Sequence, residues 1–140
     1  MTISLLTPKI AQEGQKTDDN GIRRDIFLYA LEAPKTPYYT LKEYAEAVAR
    51  ETKINPWKFK RLIKCESNWK ETALGDNGRS FGILQFKEKT FEHFAEKYGF
   101  RELEIRNPYH QIDLAALMIK NGYLYHWENC AGKAGWNDQL

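Results

Sequence analysis

Asn55-Pro56-Trp57-Lys58-Phe59-Lys60-Arg61-Leu62-Ile63-Lys64-Cys65-Glu66-Ser67-Asn68-Trp69 is the stretch whose reading decides the fold. It opens with an N-cap residue followed by proline at the first helical position, where the missing amide hydrogen is not needed. Phe59, Leu62, Ile63 and Glu66 then stand at i, i+3, i+4 and i+7, the spacing of one buried helix face. The pattern predicts a helix to about Ser67 whose apolar stripe ends in a carboxyl. A carboxylic acid held against apolar groups is disfavoured in its charged form, so it keeps its proton near neutral pH, as a general acid must. The plainer alternative is a helix-end glutamate that swings out into water, since apolar stripes commonly end in a charge.

Working outward, Leu41, Tyr44, Ala45 and Val48 recur at helical spacing, with Thr40 and Glu43 placed as a capping box. Further upstream, Ile26, Phe27, Tyr29 and Ala30 fit a short helix within residues 23–33, and Pro34 to Pro37 break it. Residues 1–21 are polar and aperiodic and are expected to be a flexible N-terminal segment, with the domain spanning 22–140. Downstream, Leu74-Gly75-Asp76-Asn77-Gly78-Arg79-Ser80-Phe81-Gly82 is rich in turn residues, so any sheet must be small. Phe91, Phe94, Ala95 and Tyr98 form another helical stripe ending at Gly99. Asn107-Pro108 caps a last long helix carrying Ile112, Ala115, Ala116 and Ile119. The expected fold is mainly α within the α+β class, a compact helical domain with a small glycine-rich β and turn region.

Composition narrows the function. The chain's 140 residues suffice for one domain and not two, and its 42% hydrophobic and 29% charged residues give it both a core and a surface. A net charge of +2 with both signs interspersed offers no basic face for phosphates, so no nucleic-acid partner is expected. No run approaches the roughly 20 apolar residues of a membrane helix, and Met1 to Glu13 lacks the pattern of a secretory signal. His93, His110 and His126 are scattered and no phosphate-binding glycine loop is present, so neither metal nor cofactor is expected. Gly78-Arg79-Ser80-Phe81-Gly82 matches the nucleophile elbow of serine hydrolases, but no buried strand precedes it and the chain is too short for that fold. Cys65 and Cys130 are either bonded to each other or two buried thiols; a bond would close most of the domain and add roughly 4 kcal/mol.

Three segments together carry a family resemblance. Cys65-Glu66-Ser67-Asn68-Trp69, then Gly78-Arg79-Ser80-Phe81-Gly82-Ile83-Leu84-Gln85-Phe86, then Asn107-Pro108-Tyr109-His110-Gln111-Ile112 resemble, in order, the three motifs of the soluble lytic transglycosylases. The likeness covers about Leu41 to Tyr125 and extends to goose-type lysozymes. It implies a lysozyme-like fold whose glycine-rich region lines a cleft for bacterial peptidoglycan glycan strands. It also implies a chain that acts outside the cytoplasm, whether extracellular, periplasmic or phage-delivered. A monomer is expected.

The resemblance assigns roles. Glu66 would protonate the glycosidic oxygen between N-acetylmuramic acid and N-acetylglucosamine and later take a proton back. Gly78, Ser80, Gly82 and Gln85 would form the floor beside it, with Ser67, Ser80 and Gln85 bonding sugar substituents or orienting the acid. Phe86, Tyr123 and Tyr125 are candidates for cleft aromatics, although such rings at helical spacing are more often core. Asp76 precedes the glycine run as an aspartate does in goose-type lysozymes, where it would activate water; before Asn77-Gly78 it is equally at home in a plain turn. A further aspartate of the goose-type pattern is replaced here by Lys87, which favours attack by the substrate's own C6 hydroxyl over water. A non-catalytic wall-binding module is the remaining alternative, against which the presence of Glu66 speaks. The family's Tyr-Asn-Ala-Gly segment is not clearly present; the chain instead runs His126-Trp127-Glu128-Asn129-Cys130, leaving the substrate-orienting tyrosine unassigned. A Cys65–Cys130 bond would hold that ending beside the acid.

Overall fold

The computed structural model describes residues 40–140. The expectations for a flexible segment at 1–21, a domain start near 22, a helix within 23–33 and a turn at 34–37 lie outside those residues. Helix α1, Leu41–Thr52, begins with both halves of its capping box in place: the Thr40 hydroxyl accepts from the Glu43 amide at 3.2 Å, and the Glu43 carboxylate accepts from the Thr40 amide at 2.8 Å. It stops at Lys53, whose left-handed backbone lets its amide return to the carbonyls of Ala49 and Arg50. Helix α2, Pro56–Ser67, starts where the Asn55 side chain accepts from the Lys58 amide at 2.9 Å, and it buries Phe59, Leu62 and Ile63.

The sheet is as small as the turn-rich sequence requires. Strands β1, Leu74–Gly75, and β2, Ser80–Phe81, pair antiparallel with Leu74 opposite Phe81. Helix α3, Glu88–Lys97, buries Phe91, Phe94 and Ala95. Helix α4, Pro108–Lys120, is capped by Asn107, whose side chain accepts from the Tyr109 amide at 2.9 Å. A 3-10 turn at Leu124–Trp127 leads into α5, Glu128–Ala134, and a last 3-10 turn covers Asn137–Gln139.

Helix α4 departs from the one-sided stripe expected of it. Every residue from His110 to Ile119 is buried, because α1, α3 and the 3-10 turn at Leu124 all pack around it. A helix hydrophobic all round is a core axis, and this one also takes polar groups inside. The Tyr44 hydroxyl donates to Asp113 Oδ1 at 2.8 Å, and complete burial pushes the Asp113 carboxyl well above its usual value. A protonated, neutral carboxyl is the form such a site tolerates. Helix α5 packs on α2, and the Cys65–Cys130 disulfide joins them with Cα atoms 5.6 Å apart. Among the described residues no helix is long and apolar enough to cross a membrane.

Candidate active site

Helix α2 delivers Glu66 to the wall of an open cleft of about 520 Å³. The apolar stripe below it is fully buried, with Phe59, Leu62 and Ile63 all inaccessible, so the carboxyl emerges where core meets cleft. Burial pushes it up to about 7; the positive charge of Lys133 on α5 opposes the rise without cancelling it. Near neutrality such a group is divided between its acid and its carboxylate, as a residue that gives and then retrieves a proton requires.

Asp76 lines the same cleft but in a different electrostatic state. It sits at the exposed tip of the β1–β2 turn with φ of 52°, beside Asn77 at 56°, left-handed positions that Asp and Asn tolerate better than most residues. Its two oxygens are taken by two cations: Arg79 at 2.8 Å and Lys87 at 3.2 Å. Hydrogen bonds from these partners hold its carboxyl below the usual aspartate value. Lys87 therefore neutralises the one carboxylate proposed to activate water.

The glycine-rich segment between β2 and α3 forms the floor. Phe81 and Phe86 close it as a short antiparallel bridge, each amide bonded to the other's carbonyl. Inside the loop the backbone carbonyls are held by side chains. Phe81 O accepts from Gln111 Nε2 at 3.0 Å and Gly82 O from Gln85 Nε2 at 2.8 Å. Ile83 O accepts from Ser67 Oγ and Leu84 O from Trp127 Nε1, each at 2.8 Å. Gln111, fully buried, also donates to Ile105 O at 2.7 Å and accepts from the Leu84 amide at 2.9 Å. Gly82 cannot be replaced without disturbing this: its φ is +86°, and a Cβ there would fall 2.3 Å from Gln111 Nε2.

These contacts sort the residues named from the sequence. Glu66, Asp76, Ser80, Gln85, Phe86 and Tyr125 line the cleft. Ser67, Gly82 and Tyr123 do not. The Ser67 hydroxyl is spent on Ile83, Gly82 is buried beneath Gln111, and Tyr123 packs edge-on against Phe94 with centroids 4.7 Å apart. Gln85 reaches the cleft while its amide donors are committed to Gly82 and Ala73. Phe86 is both core and floor: it is only 2% exposed, set edge-on to Phe91 and Trp127. Tyr125 is the open aromatic, 57% exposed and stacked on His126 at 4.6 Å. Partial burial, with the nearby His93 second, holds the His126 imidazole below its usual value.

The far wall is formed by Trp127, Glu128 and Asn129, none of which was named as a site residue from the sequence. The expectation that a Cys65–Cys130 bond would hold this ending beside Glu66 pointed to them, and the bond is present.

The family model of the transglycosylase SLT domain matches residues 43–131, more than half of the chain. The chain belongs to the SLT transglycosylase family. SLT domains have, in general, peptidoglycan lytic transglycosylase activity, and the matched span contains the acid, the floor and the far wall of the cleft. No curated protein and no solved structure matches the chain.

Proposed function

We infer that this SLT domain cleaves the β-1,4 bond between N-acetylmuramic acid and N-acetylglucosamine without water, with Glu66 as both acid and base. The observation that carries the reading is the placement of the Glu66 carboxyl on the cleft wall, raised to about 7 by burial. In the first half of the reaction Glu66 protonates the glycosidic oxygen. The bond from muramic C1 to that oxygen breaks, and the N-acetylglucosamine leaves with the bonding electron pair. In the second half the muramic C6 hydroxyl attacks C1 and gives its proton to the Glu66 carboxylate. The product is a 1,6-anhydro-muramic end, and the enzyme returns to its starting state.

Hydrolysis by the inverting route would need a second group to deprotonate water. Asp76 lines the cleft and is the candidate for that work, but a carboxylate paired to Arg79 and Lys87 and held below its usual value is a weakened base. This supports transglycosylation. The substrate lies outside the cytoplasmic membrane, and the Cys65–Cys130 bond fits an oxidising compartment, which supports action in the periplasm or beyond.

The test is incubation of the purified protein with peptidoglycan, followed by mass spectrometry of the released ends. Anhydro-muramic ends are expected. Reducing muramic ends would replace the reading with a lysozyme and promote Asp76. No product from several wall types would leave a wall-binding module.

A further inference from the structure

The reaction proposed for Glu66 passes through an oxocarbenium-like state with positive charge developing at muramic C1. A single acid that has just given up its proton supplies one negative charge, on the leaving-group side. Asp76 supplies little more, since Arg79 and Lys87 occupy both of its oxygens. The cleft holds a third carboxylate. Glu128 lines it together with Glu66, and among the described residues no cation pairs with Glu128.

The backbone at Glu128 is held from both sides, while its side chain is exposed. The residue before it, Trp127, is only 5% exposed and is anchored by its indole N–H on Leu84 O at 2.8 Å. Two residues after it, Cys130 is bonded to Cys65, which immediately precedes Glu66. Chain geometry through that bond keeps the Cα atoms of Glu66 and Glu128 within about 15 Å, and both residues line the one cleft. A charge held on an anchored segment needs little rearrangement when the reaction calls for it.

We propose that Glu128 is the charge-stabilising carboxylate of this cleft, facing the sugar ring at the bond being broken and favouring the oxocarbenium-like state over the ground state. The proposal rests on the assignment of Glu66, and its test separates the two. Turnover of peptidoglycan is measured for wild type, Glu128→Gln, Glu128→Asp and Glu66→Gln, with kcat and KM resolved and the chemical ends identified.

A group acting mainly on the transition state lowers kcat and leaves KM largely unchanged. Glu128→Gln is expected to lose ~10- to 100-fold in kcat with KM within about twofold. Glu128→Asp, which keeps the charge, is expected to recover part of the loss, and the products stay anhydro-muramic. A kcat within twofold of wild type overturns the proposal, as does a change confined to KM, which would make Glu128 a ground-state sugar contact. A shift in the ratio of reducing to anhydro ends also overturns it, in favour of Glu128 as a base toward water. Thermal unfolding of each variant, unchanged from wild type, excludes loss of fold as the cause. Should Glu66→Gln retain activity, the assignment of Glu66 fails, whatever Glu128 does.

Discussion

The helices and the floor loop of this domain are specified in opposite ways. Each of α1, α2 and α4 announces its start within a few residues: Thr40 with Glu43, Asn55 with Pro56, Asn107 with Pro108. From Phe81 to Leu84, by contrast, four consecutive carbonyls are each held by a side chain, and three of those side chains come from other elements: Gln111, Ser67 and Trp127. An irregular backbone cannot satisfy its own polar groups when buried, so it borrows donors from elsewhere. Ser67, Gln85 and Gln111 lie in the very segments that carry the family likeness, yet their polar groups are committed to the floor. On the proposed reading, the chemistry is left to Glu66 and to the residues that line the cleft with it.

The sharpest way to separate acid from scaffold is Glu66→Gln, which keeps shape and removes the transferable proton. Activity on peptidoglycan is expected to fall ~10²- to 10⁴-fold. Stability should move the other way. Burial pushes the folded carboxyl up to about 7, above the ordinary glutamate value of 4.5, so the native state holds its proton more tightly than the unfolded chain. That contribution is fully present below about 4.5 and is lost as pH rises through about 7. Wild type should therefore lose about 1–3 kcal/mol from this group between those limits, allowing for the partial solvent screening of a group at the cleft wall. Glu66→Gln should lack that part of the pH dependence. Denaturant unfolding at pH 5 and pH 8 checks this, and equal pH dependence in both proteins would show that burial does not govern Glu66.

Gln111→Leu tests the other half of the contrast. It removes two donors and one acceptor at a fully buried position, stranding Ile105 O and the Leu84 amide and leaving Phe81 O with only its bond from the Phe86 amide. Each stranded group costs about 1–3 kcal/mol, and with local relaxation the total is expected at about 3–5 kcal/mol. The shift in urea midpoint at constant slope measures it. A cost below about 1 kcal/mol would mean that the floor holds itself, erasing the distinction drawn between loop and helices.

What was legible in the sequence follows the same division. The stripe Phe59, Leu62, Ile63, Glu66 and the caps of α1, α2 and α4 were readable because their partners lie within one or two helical turns. The turn at Asp76-Asn77-Gly78 was readable as a turn, yet its ion pairs with Arg79 and Lys87 depend on how β1 and β2 bring the chain back. Ser67 was read as a substrate contact because nothing local reveals that its hydroxyl meets Ile83, 16 residues away. Burial of Gln111 and Asp113 inside α4 was invisible for a related reason: polar residues in a helix ordinarily mark its wet face, and only packing on all sides reverses that rule.

The smallest expected effect falls at the far end of the frame. Thr40→Ala removes the hydroxyl that receives the Glu43 amide and breaks one half of the α1 capping box. A cap of this kind contributes about 1 kcal/mol. Because the satisfied group is exposed and local, water replaces the lost bond and the loss should stay within the first turn of α1. Activity on peptidoglycan should therefore remain within twofold of wild type even though α1 packs on α2, the helix that bears Glu66. A kinetic defect in Thr40→Ala would show that the position of Glu66 depends on how firmly α1 is wound, and frame and cleft would then have to be treated as one mechanical unit.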